Sequence, residues 1–261
     1  MDRLLEATRR AERDHFWFRG FRRFVEPLVE RAARGARIDA LDCGCGTGHN
    51  LEMLRRYGRV YGIDLTWAGL QYAKARGARL LARATAVRLP FPAGSFDLVA
   101  SFDVLYSLDD EAERQAIEEM SRVLRPGGSL VVNVAAFEAL RGNHSILSAE
   151  VRRYDRKGLR RRLAAAGFRI DWMSYTNFSI LPLVAVTRFA QRLAGHEESQ
   201  QEISIPPAPV NAALSALLAL EAAALRFMPM PAGSSLLALA RKPDAPAVDA
   251  PAGGDYSTVR L

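Results

Sequence analysis

Ala40-Leu41-Asp42-Cys43-Gly44-Cys45-Gly46-Thr47-Gly48-His49-Asn50 is the stretch that decides the fold. It continues an apolar run from Ile38 and leads into a helical pattern over Asn50 to Tyr57. Glycine at every second position lets the backbone turn tightly and approach a ligand closely, because no Cβ stands in the way. Asp42 sets a carboxylate at the mouth of that turn. Sixteen residues past Gly48 a second run, Val60-Tyr61-Gly62-Ile63-Asp64, again ends in an acid. A carboxylate about 20 residues beyond a glycine turn is the usual grip on two ribose hydroxyls, since it accepts two hydrogen bonds at once. The pattern predicts a nucleoside site. A pyrophosphate turn has the spacing Gly-x-Gly-x-x-Gly and leaves a helix N-terminus free for phosphate. Here the order is Asp-x-Gly-x-Gly-x-Gly, and an acid at its head repels phosphate and suits an ammonium group. The same features disfavour a nicotinamide oxidoreductase.

Outward from this turn, strand and helix patterns alternate, which predicts a parallel sheet covered on both faces. Strands are expected at Ile38–Leu41, Val60–Asp64, Arg79–Arg83, Phe96–Ser101, Ser129–Val134, Phe168–Tyr175 and Ser234–Ala240. Helices are expected at Asn50–Tyr57, Trp67–Arg76, Glu111–Leu124 and Lys157–Ala166. In the third of these, Ile117, Met120 and Leu124 recur at helical spacing, and Arg125-Pro126-Gly127-Gly128 is expected to stop it. The interval from Asn177 to Pro231 is too long for a loop and predicts structure of its own.

These pieces carry a resemblance to a known family. The glycine turn resembles motif I of the class I S-adenosylmethionine-dependent methyltransferases. Leu89-Pro90-Phe91-Pro92-Ala93-Gly94-Ser95-Phe96-Asp97-Leu98-Val99 resembles that family's entry into strand four, and Val123-Leu124-Arg125-Pro126-Gly127-Gly128-Ser129-Leu130 its helix-to-strand corner. The resemblance covers about residues 35 to 175. It implies a doubly wound, Rossmann-like α/β fold with a seven-stranded, mostly parallel sheet, and S-adenosylmethionine as cofactor. It further implies that Asp42, Gly44, Gly46 and Gly48 line the methionine half and that Asp64, followed by Leu65, binds the ribose. Thr85-Ala86 stands where the family often has an adenine-binding Asp; Thr85 can still accept a bond from the adenine amine. Ser107 replaces a His found in many members. His15-Phe16-Trp17-Phe18-Arg19-Gly20-Phe21-Arg22-Arg23 resembles the N-terminal element of one bacterial subgroup, and Arg152-Arg153-Tyr154, preceded by His144, a second segment of it. In that second segment Ser145 and Glu150 replace an Asp and a His.

Methyl transfer needs alignment of a nucleophile and exclusion of water more than it needs a triad. Phe102 and Tyr106 follow strand four at the edge where ligands of such sheets sit, with aromatic faces suited to a sulfonium or to plain packing. His144 is the candidate general base, with Glu150 or Tyr154 as its orienter, or else an ordinary loop histidine. Trp17 and Arg19 can face the acceptor from a closing N-terminal segment, although Phe16, Trp17 and Phe18 equally suit a docked core helix. Arg152 and Arg153 can clamp a carboxylate or phosphate, with a solvated turn as the equal alternative. His49 is given no catalytic role.

The chain of 261 residues carries 36 Lys+Arg against 29 Asp+Glu, a net charge of +7. The excess sits in the N-terminal segment and between Arg152 and Arg162, and it suits either a solvated surface or an anionic partner. No zinc knuckle or aromatic RNA-binding stripe accompanies it, so no nucleic acid is expected. Cys43 and Cys45 are too close for an ordinary disulfide and lack a partner pair for zinc; they read as small fillers, and no metal site is expected. Phe178–Val186 and Val210–Leu220 are nearly uncharged but too short to span a bilayer. They are expected to cap the ligand edge and to favour a small or lipid-like acceptor, with an anionic group and a peripheral membrane contact as further expectations. The expected organisation is an N-terminal helical lid over 1–34, a methyltransferase domain over 35–242 with a helical cap at 177–232, and a disordered tail over 243–261, in a cytoplasmic enzyme that favours O-methylation. An N- or C-methyltransferase, or a non-catalytic binding protein on the same fold, are the alternatives.

Overall fold

The computed structural model describes residues 2–141, 150–193 and 204–244. Seven strands form one sheet in the order β3-β2-β1-β4-β5-β7-β6. They are β1 Ile38–Cys43, β2 Gly58–Asp64, β3 Leu81–Arg83, β4 Phe96–Phe102, β5 Leu124–Ala135, β6 Arg169–Thr176 and β7 Ser235–Arg241. The first five run parallel, and β7 inserts antiparallel between β5 and β6. The central strands are apolar on both faces, as burial beneath two helical layers demands; Ala40, Leu41, Leu98, Val99, Leu130 and Val131 are fully buried.

Eight helices flank the sheet among the described residues: α1 Asp2–Ala11, α2 Phe16–Ala33, α3 His49–Leu54, α4 Trp67–Ala75, α5 Asp110–Val123, α6 Arg156–Ala165, α7 Leu181–Leu193 and α8 Ala208–Ala224. α5 shows why these sequences fold as they do. Asp109 caps it by accepting the Ala112 amide at 2.8 Å, three acids occupy its first turn, and Ala116, Ile117, Met120 and Val123 form its buried stripe. α5 ends at Val123, just before the expected stop at Arg125–Gly128, but the fifth strand is corrected: β5 begins at Leu124, directly after α5, and not at Ser129. The irregularity lies inside the strand, where the register against β4 shifts between Phe96 and Leu98 and Gly127 takes φ 73°. Pro126 is tolerated there because it sits where the regular ladder is interrupted.

Two segments far apart in sequence form one layer. Leu218 of α8 fills the space a Cβ would need on Gly20 of α2. Arg23 donates to the Ser215 carbonyl at 2.8 Å. Asn211 accepts the Phe16 amide and donates to the Asp14 carbonyl, both at 2.8 Å. Glu221, buried in α8, accepts the amides of Phe178 and Ser179 and so ties down the chain entering α7. Among the described residues no helix is long and apolar enough to cross a membrane.

Candidate active site

Strand order brings the carboxyl ends of β1, β2, β3 and β4 side by side, the edge at which open α/β sheets bind ligands. Asp42 lies near the end of β1 and Asp64 ends β2, with Asp42 paired in register to Gly62. Gly44, Gly46 and Gly48 all adopt positive φ, at 87°, 49° and 79°. The turn is therefore closed to side chains for conformational reasons, and for space as well: a Cβ on Gly44 would collide with Val104, and one on Gly48 would stand 2.7 Å from Ala73 Cα of α4.

The two acids have opposite environments. Asp64 is tied into the turn: Oδ2 accepts the Gly46 amide at 2.8 Å, and Oδ1 accepts the Thr66 amide and hydroxyl at 2.8 and 2.5 Å. Oδ1 is thereby saturated, and Oδ2 keeps one lone pair for a ribose hydroxyl. Asp42 is 1% exposed, and neither of its oxygens has a hydrogen-bond partner. Burial, with Asp64 nearby, pushes its carboxyl up to about 7. A buried carboxylate with no donor is costly unless a ligand supplies one, and an ammonium group does so. This orphaned acid is the observation on which the cofactor fits.

Leu65 and Trp67 stand exposed just past Asp64, an apolar surface suited to a purine. Thr85 and the buried Ala86 follow β3 on the same edge. Phe102 is buried at the end of β4 and meets Phe21 of α2 edge-on, with ring centroids 5.2 Å apart. Both thiols of the turn are free, and burial, with Asp42 and Asp64 nearby, pushes them well above their ordinary range, so they are inert fillers. α1 lies against the turn: Thr47 donates to the buried Glu12 at 2.5 Å, and Tyr72 of α4 donates to Glu6 at 2.7 Å.

The acceptor-side expectations fare differently. Tyr106 is buried, and its carbonyl accepts the amides of Val151 and Arg152 at 2.8 and 3.3 Å, which stitches residues 150–154 to the same edge. Tyr154 is corrected from catalytic candidate to strut. It is buried, its hydroxyl donates to Glu113 at 2.7 Å, and burial, with Glu113, pushes the phenol well above its usual range. Arg152 is likewise spent on the chain itself, paired with the buried Glu113 and with Asp110. Arg153 pairs with Glu150 at 2.9 Å and donates to the Ala136 carbonyl at 3.2 Å. Neither arginine presents an open clamp. Trp17 is half-buried against the core. Arg19 lines a groove of about 400 Å³ between α2 and α3, with Arg22, Arg23 and Arg56 beside it. His144 lies outside the described residues.

One residue at this edge was missed from sequence. Asp103, directly after β4, takes φ 60°, and its Oδ1 accepts the Asn133 amide nitrogen at 2.9 Å. Only its place next to Phe102 could have flagged it.

The glycine turn between Asp64 and the orphaned Asp42, at the carboxyl edge of this sheet, fits a nucleoside cofactor that bears an ammonium group, as S-adenosylmethionine does. The comparisons agree. Residues 41–132 match the family model described as a methyltransferase domain. A "Probable S-adenosylmethionine-dependent methyltransferase" of Mycolicibacterium smegmatis is 34% identical over 122 residues, 46% of this chain and 46% of that protein. The malonyl-[acyl-carrier protein] O-methyltransferase of Hahella chejuensis is 36% identical over 121 residues, 44% of this chain and 43% of that protein. The chain thus spans about half the length of the curated relatives it matches. Among solved structures, an S-adenosylmethionine-dependent methyltransferase of Thermotoga maritima shares the fold at a TM-score of 0.58 and 18% identity, covering 92% of this chain and 97% of that one. The [4+2]-cyclase SpnF superposes with a TM-score of 0.53 at 25% identity, covering 84% of this chain and 81% of that one.

Proposed function

We propose that the protein transfers a methyl group from S-adenosylmethionine to a small or lipid-like acceptor, with oxygen the favoured atom. The orphaned Asp42 beside the glycine turn carries this reading, because its buried charge calls for the ammonium of the methionine half. When bound, the cofactor supplies an activated methyl group on a sulfonium. Asp42 would pair with the ammonium, Asp64 Oδ2 would accept a ribose hydroxyl, and Thr85 and Leu65 would flank the adenine. Phe102 and Tyr106 exclude water at the end of β4, with aromatic faces suited to a cationic centre. Trp17 and Arg19 remain the acceptor-side candidates of the N-terminal layer.

The apolar part of the acceptor rests on the insertion. Leu217, Leu220, Phe227 and Met228 are exposed, Phe227 by 90%, on and just after α8. Such a surface supports a lipid-like acceptor or contact with a membrane surface. The likeness to a cyclase keeps a second reading alive, in which the cofactor site is retained and a different reaction is served.

Calorimetry with S-adenosylhomocysteine tests the cofactor half: micromolar affinity is expected, lost in Asp64→Ala. Tritium transfer from methyl-labelled S-adenosylmethionine into lipid extracts and phenols tests the rest. Tight binding without transfer to any acceptor would favour the second reading.

A further inference from the structure

Asp103 is an unusual residue for its place. It adopts φ 60°, in the left-handed region that costs a non-glycine residue of order 1 kcal/mol. The fold holds it there: its amide donates to the Asn133 carbonyl at 3.0 Å, and its Oδ1 accepts from Asn133 Nδ2 at 2.9 Å. The next residue, Val104, is the one that faces Gly44, so Asp103 stands one residue from the contact with the cofactor turn. Its side chain is exposed, yet protein surrounds it closely enough that desolvation pushes its carboxyl up to about 7. The charged groups that face it are Glu150, which raises it further, and Arg153, which lowers it; Asn133 lowers it by its hydrogen bond.

Two acceptor atoms at this place lack donors. Asn133 Oδ1 is buried with no hydrogen-bond partner. Asp103 Oδ2 receives no hydrogen bond from the described residues. Arg152 and Arg153, brought to this edge by the bonds from the Val151 and Arg152 amides to the Tyr106 carbonyl, are committed to Glu113, Asp110 and Glu150. Among the described residues the site therefore presents unsatisfied acceptors and no uncommitted arginine, which suits a ligand bearing O–H or N–H and disfavours a carboxylate.

We propose that Asp103 is the catalytic base of the reaction and that the acceptor is protic, a hydroxyl or an amine. This rests on the methyltransferase reading above and narrows it. The acceptor's oxygen or nitrogen forms a bond to the methyl carbon as the carbon–sulfur bond breaks. The electron pair of that bond stays on sulfur as the neutral thioether, and the proton from O–H or N–H passes to Asp103 Oδ2. Asn133 Nδ2 holds the carboxylate in place through its bond to Oδ1.

Difference infrared spectroscopy across pH 5–9, with S-adenosylhomocysteine bound, reads Asp103 without needing an acceptor. A protonated-carboxyl band that titrates near neutrality, vanishes in Asp103→Asn and moves to higher pH in Asn133→Ala supports the proposal. The absence of any such band overturns it. Kinetics give the second arm, with methyl-labelled S-adenosylmethionine and a panel of phenols, primary amines and carboxylic acids. Label is expected in phenols or amines, with kcat falling roughly 10²–10⁴-fold in Asp103→Asn and its rise with pH abolished. S-adenosylhomocysteine affinity should stay within about threefold of the wild type. Transfer to carboxylic acids that survives Asp103→Asn overturns the proposal. Failure of the wild type to bind S-adenosylhomocysteine would instead sink the methyltransferase reading, and the infrared titration separates the two failures.

Discussion

At the residue scale the site is a contrast between acids of one chemistry in unlike surroundings. Asp64 is satisfied by the turn it anchors, whereas Asp42 has no donor at all. Because burial raises Asp42 to about 7 from an ordinary value of 3.8, the folded chain keeps a proton that the unfolded chain has released. Asp42 therefore subtracts stability as pH rises through that interval, and the full penalty is present above it. Asp42→Asn removes the charge while keeping the shape. The variant is expected to gain roughly 2–4 kcal/mol of unfolding free energy at pH 8 and to gain nothing at pH 4. The same substitution should weaken S-adenosylhomocysteine by about a hundredfold, since an amide oxygen can accept from an ammonium but supplies no opposite charge and turns its own N–H donors toward it. Denaturant titration and calorimetry read the two effects; a variant less stable at pH 8 would refute this account of Asp42. Most of this was legible in sequence, because acid and glycine spacing are local. That Asp42 lacks a partner was not, since it depends on every neighbouring element failing to supply a donor. Asp103 was illegible for a related reason: nothing in Ser101-Phe102-Asp103-Val104 announces a positive φ.

The elements themselves were largely readable where periodicity carried them. α4, α5, α6 and six strand positions fall within a few residues of their expected spans, because each buries a continuous stripe or a doubly apolar run. β5 departed at its start, since the Pro and Gly that follow the end of α5 read as a break before the strand while the sheet absorbs them as an irregularity within it. The docking of α8 on α2 was hidden altogether: the partners lie 192–197 residues apart, and no periodicity encodes a long-range contact. Asn211 is the bolt of that layer. Asn211→Ala leaves the Phe16 amide and the Asp14 carbonyl without their partner and is expected to cost about 1–3 kcal/mol, with S-adenosylhomocysteine affinity unchanged. Faster amide exchange confined to α2 and α8 would show that the layer loosened as a unit. α3 carries a pH-dependent term of the opposite sign to Asp42. His49 opens it, and burial, with Arg22 and Arg76 close by, holds its imidazole down at about 4 against an ordinary 6.5. The unfolded chain binds a proton there that the folded chain refuses, so stability is lost as pH falls from 6.5 toward 4. His49→Gln should flatten that arm of the stability profile by roughly 1–3 kcal/mol, read by denaturant unfolding at pH 7 and 4.5.

The whole molecule couples these local charges to its ligand. Without cofactor, the fold tolerates an unpaired acid at the heart of its sheet edge, although the chain is basic overall with a net charge of +7. Net charge does not relieve it, because no arginine among the described residues reaches either oxygen of Asp42. Ligand binding must therefore do what the protein does not, and proton and ammonium compete for the same carboxylate. Below about pH 7 the proton prevails in the free protein. Each further unit of acidity then raises the dissociation constant of S-adenosylhomocysteine by up to about tenfold. Between pH 7.5 and 5.5 the loss is roughly 30-fold, or about 2 kcal/mol of ligand-derived stability at fixed saturating ligand. For a chain of this size that amounts to a ligand-induced Tm shift smaller by about 4–8 °C at the acid end. Thermal melts with and without ligand at both pH values measure it directly. In Asp42→Asn the shift should be small and equal at the two pH values, because the competition is gone. A wild-type shift that stays constant or grows on acidification would mean that Asp42 does not meet the ammonium, and the orientation of the cofactor in this site would have to be reversed.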